Sequence, residues 1–463
     1  MRALSLMRIG VGIILLVDLF IRSLSIKAFF TDEGVLPLNA LQHFFGNTNY
    51  ISLHTISGEL WWQIILFVIN ACCAVALLIG YRTRFFTFMC WVFLISLQNR
   101  NPFILQGGDD LLRLLLFWGL FLPWGDFYSV LSSPSRTHEF SLPAIGYLLL
   151  TCSVLFFSAL LKTSPEWHTE GSAVYYALSL DQIRLPFGTF IYQFPGLMRV
   201  LTYVVFYIEL LAPLLVTIPF IPSKIRLVAI CCIIGLYVSI ALSLYVGLFY
   251  IIGIISMVGL FPSAVMDRLE LRFIRAKTVI KTSNTSVQEL KAWKKIVRYF
   301  KHGAIAMTII FCLFINMSNL PAFPYELNTT FFKCMKFLKL DQNWGMFSPY
   351  ILKDDGWFVY SGFDANGKHI DIKHNLDSVV FSKPQYLVAD QESDRWRKFE
   401  ENYTSINNNF MRPYYCKYLL NKWNNEHPEK QILNLTIYFM KETSLPNYQT
   451  KPLKKIVACD CQQ

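Results

Sequence analysis

The sequence predicts an all-α polytopic membrane bundle of about nine transmembrane helices, followed by a C-terminal extracytoplasmic α+β domain. Three observations carry that prediction. Hydrophobic residues make up 54% of the 463 and charged residues only 16%, a balance that a water-soluble globule does not have. Several apolar runs reach the roughly 20 residues that cross a ~30 Å hydrocarbon layer. After about residue 320 the long runs stop, and short alternating strands and amphipathic stretches replace them. The same composition excludes disorder, a collagen-like repeat and a disulfide mini-protein.

Nine apolar segments follow one another at about 4–24, 60–80, 85–98, 110–131, 142–162, 198–220, 226–245, 247–262 and 302–320. The third is short and runs into Gln98, Asn99, Arg100 and Asn101, so it ends before the membrane surface or continues as a polar helix inside the bundle. Residues 226–262 are too long for one span, and Tyr245-Val246-Gly247 divides them. The expected organisation is helices one to eight (1–264), a basic cytoplasmic connector (265–301), a ninth helix (302–320) and an extracytoplasmic α+β domain (321–463). The first segment carries Arg8, Asp18 and Arg22 and lacks a small-residue cleavage site, so it reads as a retained anchor. No repeat relates the two halves of the helical region, which weakens a transporter built from inverted repeats.

The net charge of +11 is concentrated rather than spread. From Asp267 to Lys301, ten Lys/Arg stand against three acids and supply +7, whereas the residues from Pro321 onward are nearly balanced. No recognition helix or RNA-binding motif accompanies this charge, so it reads as a loop retained in the cytoplasm beside anionic headgroups, with no nucleic-acid partner. With the amino terminus cytoplasmic, sixteen Lys/Arg of the helical region fall inside and five outside, in line with the positive-inside bias. The expected location is therefore the cell membrane, multi-pass, with the lipid bilayer as the first partner.

In the outer domain, Gly356–Phe363, a turn at Asn366-Gly367 and Lys368–Ile372 read as a β-hairpin. Ile432–Met440 alternates as a further strand, and Asp394 to about Asn425 reads as helix with a break near Pro413. Trp344-Gly-Met-Phe, soon after the ninth segment, reads as packing of this domain onto the bundle, a substrate groove being the other reading. Seven of the eleven cysteines fall in apolar helices as small hydrophobes; Cys334, Cys416, Cys459 and Cys461 allow three pairings, among which sequence does not choose. Cys459-Asp-Cys461 lacks the spacing of a zinc site, the eight His form no spaced cluster, and no metal is predicted.

Chemistry is sought among polar groups that lipid makes costly. Arg8, Asp18 and Arg22 fall within an arc of roughly 80° on the first helix, and Asp18 and Arg22 are an i,i+4 pair. That face should turn into the bundle and pair there, fixing helix packing, with snorkelling of an arginine or a catalytic role as the alternatives. Asn99-Arg100-Asn101-Pro102 and Gln106-Gly-Gly-Asp109-Asp110 break the next helices, with Asp109 and Arg113 one turn apart. Pocket wall and structural turn are both open for this stretch. Lys162 ends the fifth segment, ahead of Thr163-Ser-Pro-Glu166-Trp167-His-Thr-Glu170-Gly. It reads either as a snorkelling interfacial lysine or as a base whose ammonium an apolar pocket destabilises.

Three runs are similar to the horizontally transferred transmembrane domain (HTTM) family, which includes the vitamin K-dependent gamma-carboxylases. These are Arg100-Asn-Pro-Phe-Ile-Leu-Gln-Gly-Gly-Asp, the opening with Arg8, Asp18 and Thr31-Asp-Glu-Gly-Val-Leu-Pro, and Asn343-Trp-Gly-Met-Phe-Ser-Pro. The similarity covers nearly the whole chain. Carboxylases of the family use a membrane-embedded lysine five residues before a Trp, in a segment that continues to Glu-Gly, and Lys162, Trp167 and Glu170 match it. The resemblance implies that Lys162 deprotonates a reduced, vitamin K-type quinone, that oxygen adds, and that the resulting base removes a γ-proton from a substrate glutamate whose carbanion captures carbon dioxide. The substrate would be an exported peptide or protein. Animal carboxylases carry a His shortly after the fourth helix, where this chain has Gly125-Asp-Phe-Tyr128. That departure keeps open a non-carboxylating HTTM protein acting in maturation or assembly of a secreted peptide, beside a transporter or structural role.

Overall fold

The computed structural model describes residues 1–45, 52–131, 141–273, 292–325 and 328–462. The apolar segments form α1 (Arg2–Ser23), α2 (Leu60–Ile79), α3 (Thr83–Arg100), α4 (Gly107–Gly119), α5 (Leu142–Leu161), α6 (Pro195–Thr217), α7 (Ser223–Ser243), α8 (Phe249–Val258), α9 (Ser263–Phe273) and α10 (Ala292–Ser318). Six are long and apolar enough to cross a membrane: α1, α2, α5, α6, α7 and the Tyr299–Ser318 part of α10. The α8–α9 pair, bent by 98°, makes a seventh if taken as one span. Residues 274–291 of the basic connector lie outside the described residues.

The segments that do not qualify have local causes. α4 has 13 residues, about 20 Å, because Gly119 lets the ring of Trp124 fold back against it and Pro123 ends the run. α3 takes the second of its two expected courses: it continues as helix to Arg100, with Gln98, Asn99, Arg100 and Asn101 all buried. α7 ends at Ser243 and α8 begins at Phe249, so the long apolar run divides where Gly247 adopts φ +62°.

α1 packs on α2 and α8, α5 on α6 and α10, and α6 on α7. Val200, Val204, Tyr207 and Leu211 form one exposed apolar stripe along α6. Such a stripe fits lipid rather than water.

Beyond α10 come α11 (Thr329–Phe337), β1 (Asp354–Asp364), β2 (His369–Asp371), α12 (Asp394–Thr404), α13 (Arg412–Glu426), β3 (Ile432–Thr443) and β4 (Lys454–Gln462). The sheet is antiparallel in the order β2-β1-β3-β4. The expected hairpin is β1–β2, with Ser361 opposite Asp371 and Phe363 opposite His369. Pro413 lies in the first turn of α13, so the helical break precedes it, at 405–411. Cys416 pairs with Cys461, tying α13 to β4, while Cys334 and Cys459 are free thiols.

The sheet domain and one end of the bundle share a single apolar core. Leu19, Phe29, Phe30, Leu97 and Phe103 cluster with Phe358, Trp396, Phe399, Tyr415 and Leu435. Trp396 and Phe29 have ring centroids 4.5 Å apart. Trp344 is buried in the main bundle core, so the run after α10 packs the two parts together.

Candidate functional site

Two buried charged assemblies hold charged residues singled out in α1, α4 and after α5, and they are separate. In the first, Arg22 donates from Nε to Asp18 (2.7 Å) and from Nη2 to Asp109 (2.5 Å). Arg395, at the start of α12, reaches into the same place. Its guanidinium donates to Asp18 Oδ1 (2.7 Å), to both oxygens of Asp109 (2.9 and 2.5 Å) and to the Ile104 carbonyl (2.8 Å). Two guanidinium groups thus offset two carboxylates, and all four are nearly inaccessible to water. Asp109 also caps α4 by accepting the Gln106 N–H at 2.9 Å.

The remaining polar residues singled out in the sequence distribute differently from expectation. Arg113 does not pair with Asp109 one turn before it, because Arg22 and Arg395 occupy that carboxylate. It turns instead to Asp110 (2.9 Å), Gln98 Oε1 (3.0 Å) and the Asp341 carbonyl (2.8 Å). Arg100 donates to the carbonyls of Leu36 (2.8 Å) and Thr31 (3.1 Å), and Asn101 to that of Phe29 (3.2 Å). Two of the family-like runs therefore fasten to each other, and this turn does structural work. Arg8 shares a helix face with Asp18 and Arg22 but lies nearly three turns from Asp18, toward the other end of α1. It donates to Ser129 Oγ (2.5 Å) and the Tyr128 carbonyl (2.7 Å). Gly80 lets it pass, since a Cβ there would lie 2.0 Å from Arg8 Nη1.

The second assembly centres on Lys162, the residue after α5. It is 2% exposed, so it neither snorkels nor meets bulk water. Nor is its surrounding apolar throughout, as the sequence suggested: its Nζ forms an ion pair with Glu209 of α6, also nearly inaccessible. Ser158, one turn earlier, accepts at 3.2 Å, and the Trp167 ring centroid lies 4.5 Å from Nζ. Trp167 is fixed by its indole N–H on the Phe347 carbonyl (3.0 Å), which brings the Asn343–Pro349 run over the site. The His168 ring bonds the Lys162 carbonyl at 2.6 Å and holds the end of α5 in place. Tyr237 of α7, close enough to Glu209 to feel its charge, has a buried hydroxyl with no hydrogen-bond partner among the described residues. Its ring lies over Gly253, where a Cβ would come within 2.5 Å of Cζ.

Glu170 is not part of this cluster. It is exposed and accepts from the Ser172 hydroxyl (2.9 Å), because the short Pro165–His168 helix carries it outward. The buried acid of that segment is Glu166, paired with Lys353 at 2.7 Å. Sequence reasoning missed two residues. Glu209 was detectable as a lone carboxylate inside an apolar segment, by the same cost argument applied to Asp18. Arg395 lies in a polar stretch of the outer domain, and nothing local marks it.

The Gly125–Tyr128 run lies with Arg8, and the Phe127 N–H bonds Ser5 Oγ at 3.2 Å. At that end Gly259 lies between Tyr147 of α5 and Met7. Lys162 is fifteen residues beyond Tyr147, about 22 Å along a helix. The run is thus remote from the Lys162 amine. Comparison of the chain with protein-family models, with curated proteins and with solved structures finds no match.

Proposed function

We propose that this chain is an integral membrane enzyme resembling the vitamin K-dependent gamma-carboxylases, in which Lys162 and Glu209 form an acid–base centre that couples quinol oxidation to carboxylation of an exported peptide. The supporting observation is an amine and a carboxylate in direct contact, buried where α5 and α6 meet. Single charges at such a place cost at least ~2.5 kcal/mol each, so a pair is the form the fold tolerates. An ammonium–carboxylate pair and an amine–acid pair differ only in where one proton sits. With that proton on Glu209, the lone pair of Lys162 Nζ takes a second from an acidic hydroxyl, and Glu209 keeps the first ready for return.

A reduced quinone, when bound, supplies that hydroxyl and two electrons. Three groups suit such a ring chemically: the Lys162 amine, the Trp167 indole 4.5 Å from it, and the buried Tyr237 hydroxyl, which lies within range of the Glu209 charge and has no hydrogen-bond partner among the described residues. Lys162 and Tyr237 would hold its oxygens and Trp167 its ring, while the Asn343–Pro349 run limits water. The same proposal includes nine membrane passages, counting α3, α4 and α8, with the amino terminus cytoplasmic and the sheet domain outside. The sixteen-to-five distribution of Lys/Arg supports that orientation.

The Gly125–Tyr128 run favours a second reading, in which the chain matures or assembles a secreted peptide without carboxylating it. That run has no His and is remote from Lys162. The test purifies the chain with native lipids retained, extracts it for quinone by mass spectrometry, and measures quinol-dependent oxygen uptake. The wild type should carry a quinone, and folded Lys162→Ala and Glu209→Gln should each lose roughly 100-fold or more of the uptake. A wild type with neither quinone nor uptake sinks the enzyme reading. Peptide maturation that persists in Lys162→Ala supports the second.

A further inference from the structure

A cavity of about 400 Å³ opens in the sheet domain between α12, α13 and the segments after β2, within the size range of small-molecule sites. It is independent of Lys162 and of the function proposed for it. Its walls are aromatic. Trp396 and Tyr418 stack with ring centroids 6.2 Å apart and 27° between planes, and Tyr415 leans on Trp396 at 6.2 Å. Glu400 of α12 presents its carboxyl among them, 9% exposed. The Tyr360 hydroxyl donates to Glu400 Oε1 at 2.7 Å and lies 2.8 Å from that of Tyr415.

The charges around this cavity are unequal. Four carboxylates line it, from Asp390, Glu392, Glu400 and Glu426, against the two lysines Lys373 and Lys422. Both lysines are already engaged: Lys373 with Asp390 at 2.5 Å and Lys422 with Glu392 at 3.7 Å. His374 also bonds Asp390, at 2.7 Å. Glu400 and Glu426 have no ion-pair partner among the described residues. Burial pushes the Glu400 carboxyl above its ordinary range, with Lys373 acting the other way. Gln391, also on the lining, has a buried Oε1 with no hydrogen-bond partner among the described residues. An anion would meet spent cations, whereas a cation would meet a buried carboxylate, a free amide oxygen and ring faces that attract positive charge.

We infer that this cavity binds an organic cation, an ammonium or guanidinium group, through Glu400 and the faces of Trp396, Tyr415 and Tyr418. The group could belong to a free amine or to a basic residue of a peptide, and the probes distinguish the two.

The test titrates the full-length chain in detergent micelles by calorimetry with tetramethylammonium, N-acetyl-lysine amide, the neutral isostere tert-butanol, and acetate. A cation should bind saturably and roughly tenfold or more tighter than tert-butanol. Saturable binding of tetramethylammonium supports a free ammonium compound, and of N-acetyl-lysine amide alone a peptide side chain. Glu400→Gln, which keeps an oxygen for Tyr360, and Tyr418→Ala, at the cavity wall, should each weaken binding several-fold. The inference is overturned if no cation binds the folded wild type, if tert-butanol or acetate binds as tightly, or if folded Glu400→Gln binds undiminished. The cation-to-isostere comparison on the wild type stands even where Glu400→Gln does not fold.

Discussion

Arg395 is the point at which the sheet domain enters the charge network of the bundle, and replacing it by Met tests that interlock. The wild-type network has two guanidinium groups and two carboxylates, and Arg395 makes four of its contacts, each between 2.5 and 2.9 Å. Without it Asp18 and Asp109 share Arg22 alone, and one buried negative charge has no counter-charge. Removing one partner of a buried charge assembly costs about 3–5 kcal/mol, which is the expected loss for Arg395→Met. Arg395→Lys keeps the charge but lacks the planar fork that reaches both carboxylates, so an intermediate loss is expected. Adding Asp109→Asn to Arg395→Met restores neutrality and should recover part of the loss, a coupling of about 2 kcal/mol in the double-mutant cycle. Chemical denaturation in micelles, followed by circular dichroism and by trypsin cleavage of the sheet domain, measures all of these. An Arg395→Met loss below about 1 kcal/mol, or one of equal size in the Asp109→Asn background, refutes the reasoning.

Three further outcomes follow from other groups. Glu209→Leu strands the Lys162 ammonium and should cost about 3–5 kcal/mol, whereas Lys162→Met with Glu209→Leu should lie within about 1 kcal/mol of wild type yet lack the proposed quinol-dependent activity; melting and oxygen uptake read the two effects separately. Asp355 is buried beside Asp181, and burial first, then that neighbouring carboxylate, pushes its carboxyl from 3.8 up to about 7. Between those values the unfolded chain has released a proton that the folded chain retains, so stability falls as pH rises, by at most about 4 kcal/mol. Asp355→Asn should flatten that slope in a pH series of denaturation curves, and an unchanged slope would exclude Asp355 as its source. Cys461→Ser opens the Cys416–Cys461 link across a sequence separation of 45, for which chain entropy gives a loss of about 4 kcal/mol relative to the oxidised wild type, and reduction of the wild type should reproduce that loss in denaturation curves.

Much of the fold was legible because lipid and sheet impose simple periods. The apolar segments, the division at Gly247, the β1–β2 hairpin and the break ahead of Pro413 all follow from run length, turn residues or alternation. β4 was not read, because Lys454-Lys-Ile-Val-Ala-Cys-Asp-Cys carries no clean alternation and its first residues are exposed; pairing with β3 across a bulge at Ile437/Tyr438 makes it a strand. α4 was read too long, because the apolar run to Leu131 hides the reversal that Gly119, Pro123 and Trp124 make together. Sequence period reports what an element buries, not where it folds back.

The site was legible only one residue at a time. Asp18, Arg22, Asp109 and Lys162 each announced a cost, but the group that meets that cost is distant in sequence: Arg395 lies 286 positions from Asp109, and Glu209 lies 47 from Lys162. Read alone, Lys162 suggested an amine kept neutral by a greasy surrounding. Paired, it belongs to a unit whose net charge is zero whichever group holds the shared proton, so burial of the unit opposes neither arrangement as strongly as it opposes a lone ammonium. A base made this way does not depend on a uniformly apolar pocket. In the proposed enzyme it depends on Glu209 receiving the proton that Lys162 gives up, so on that proposal the carboxylate, and not the depth of the lysine, is the part of the site on which proton transfer turns.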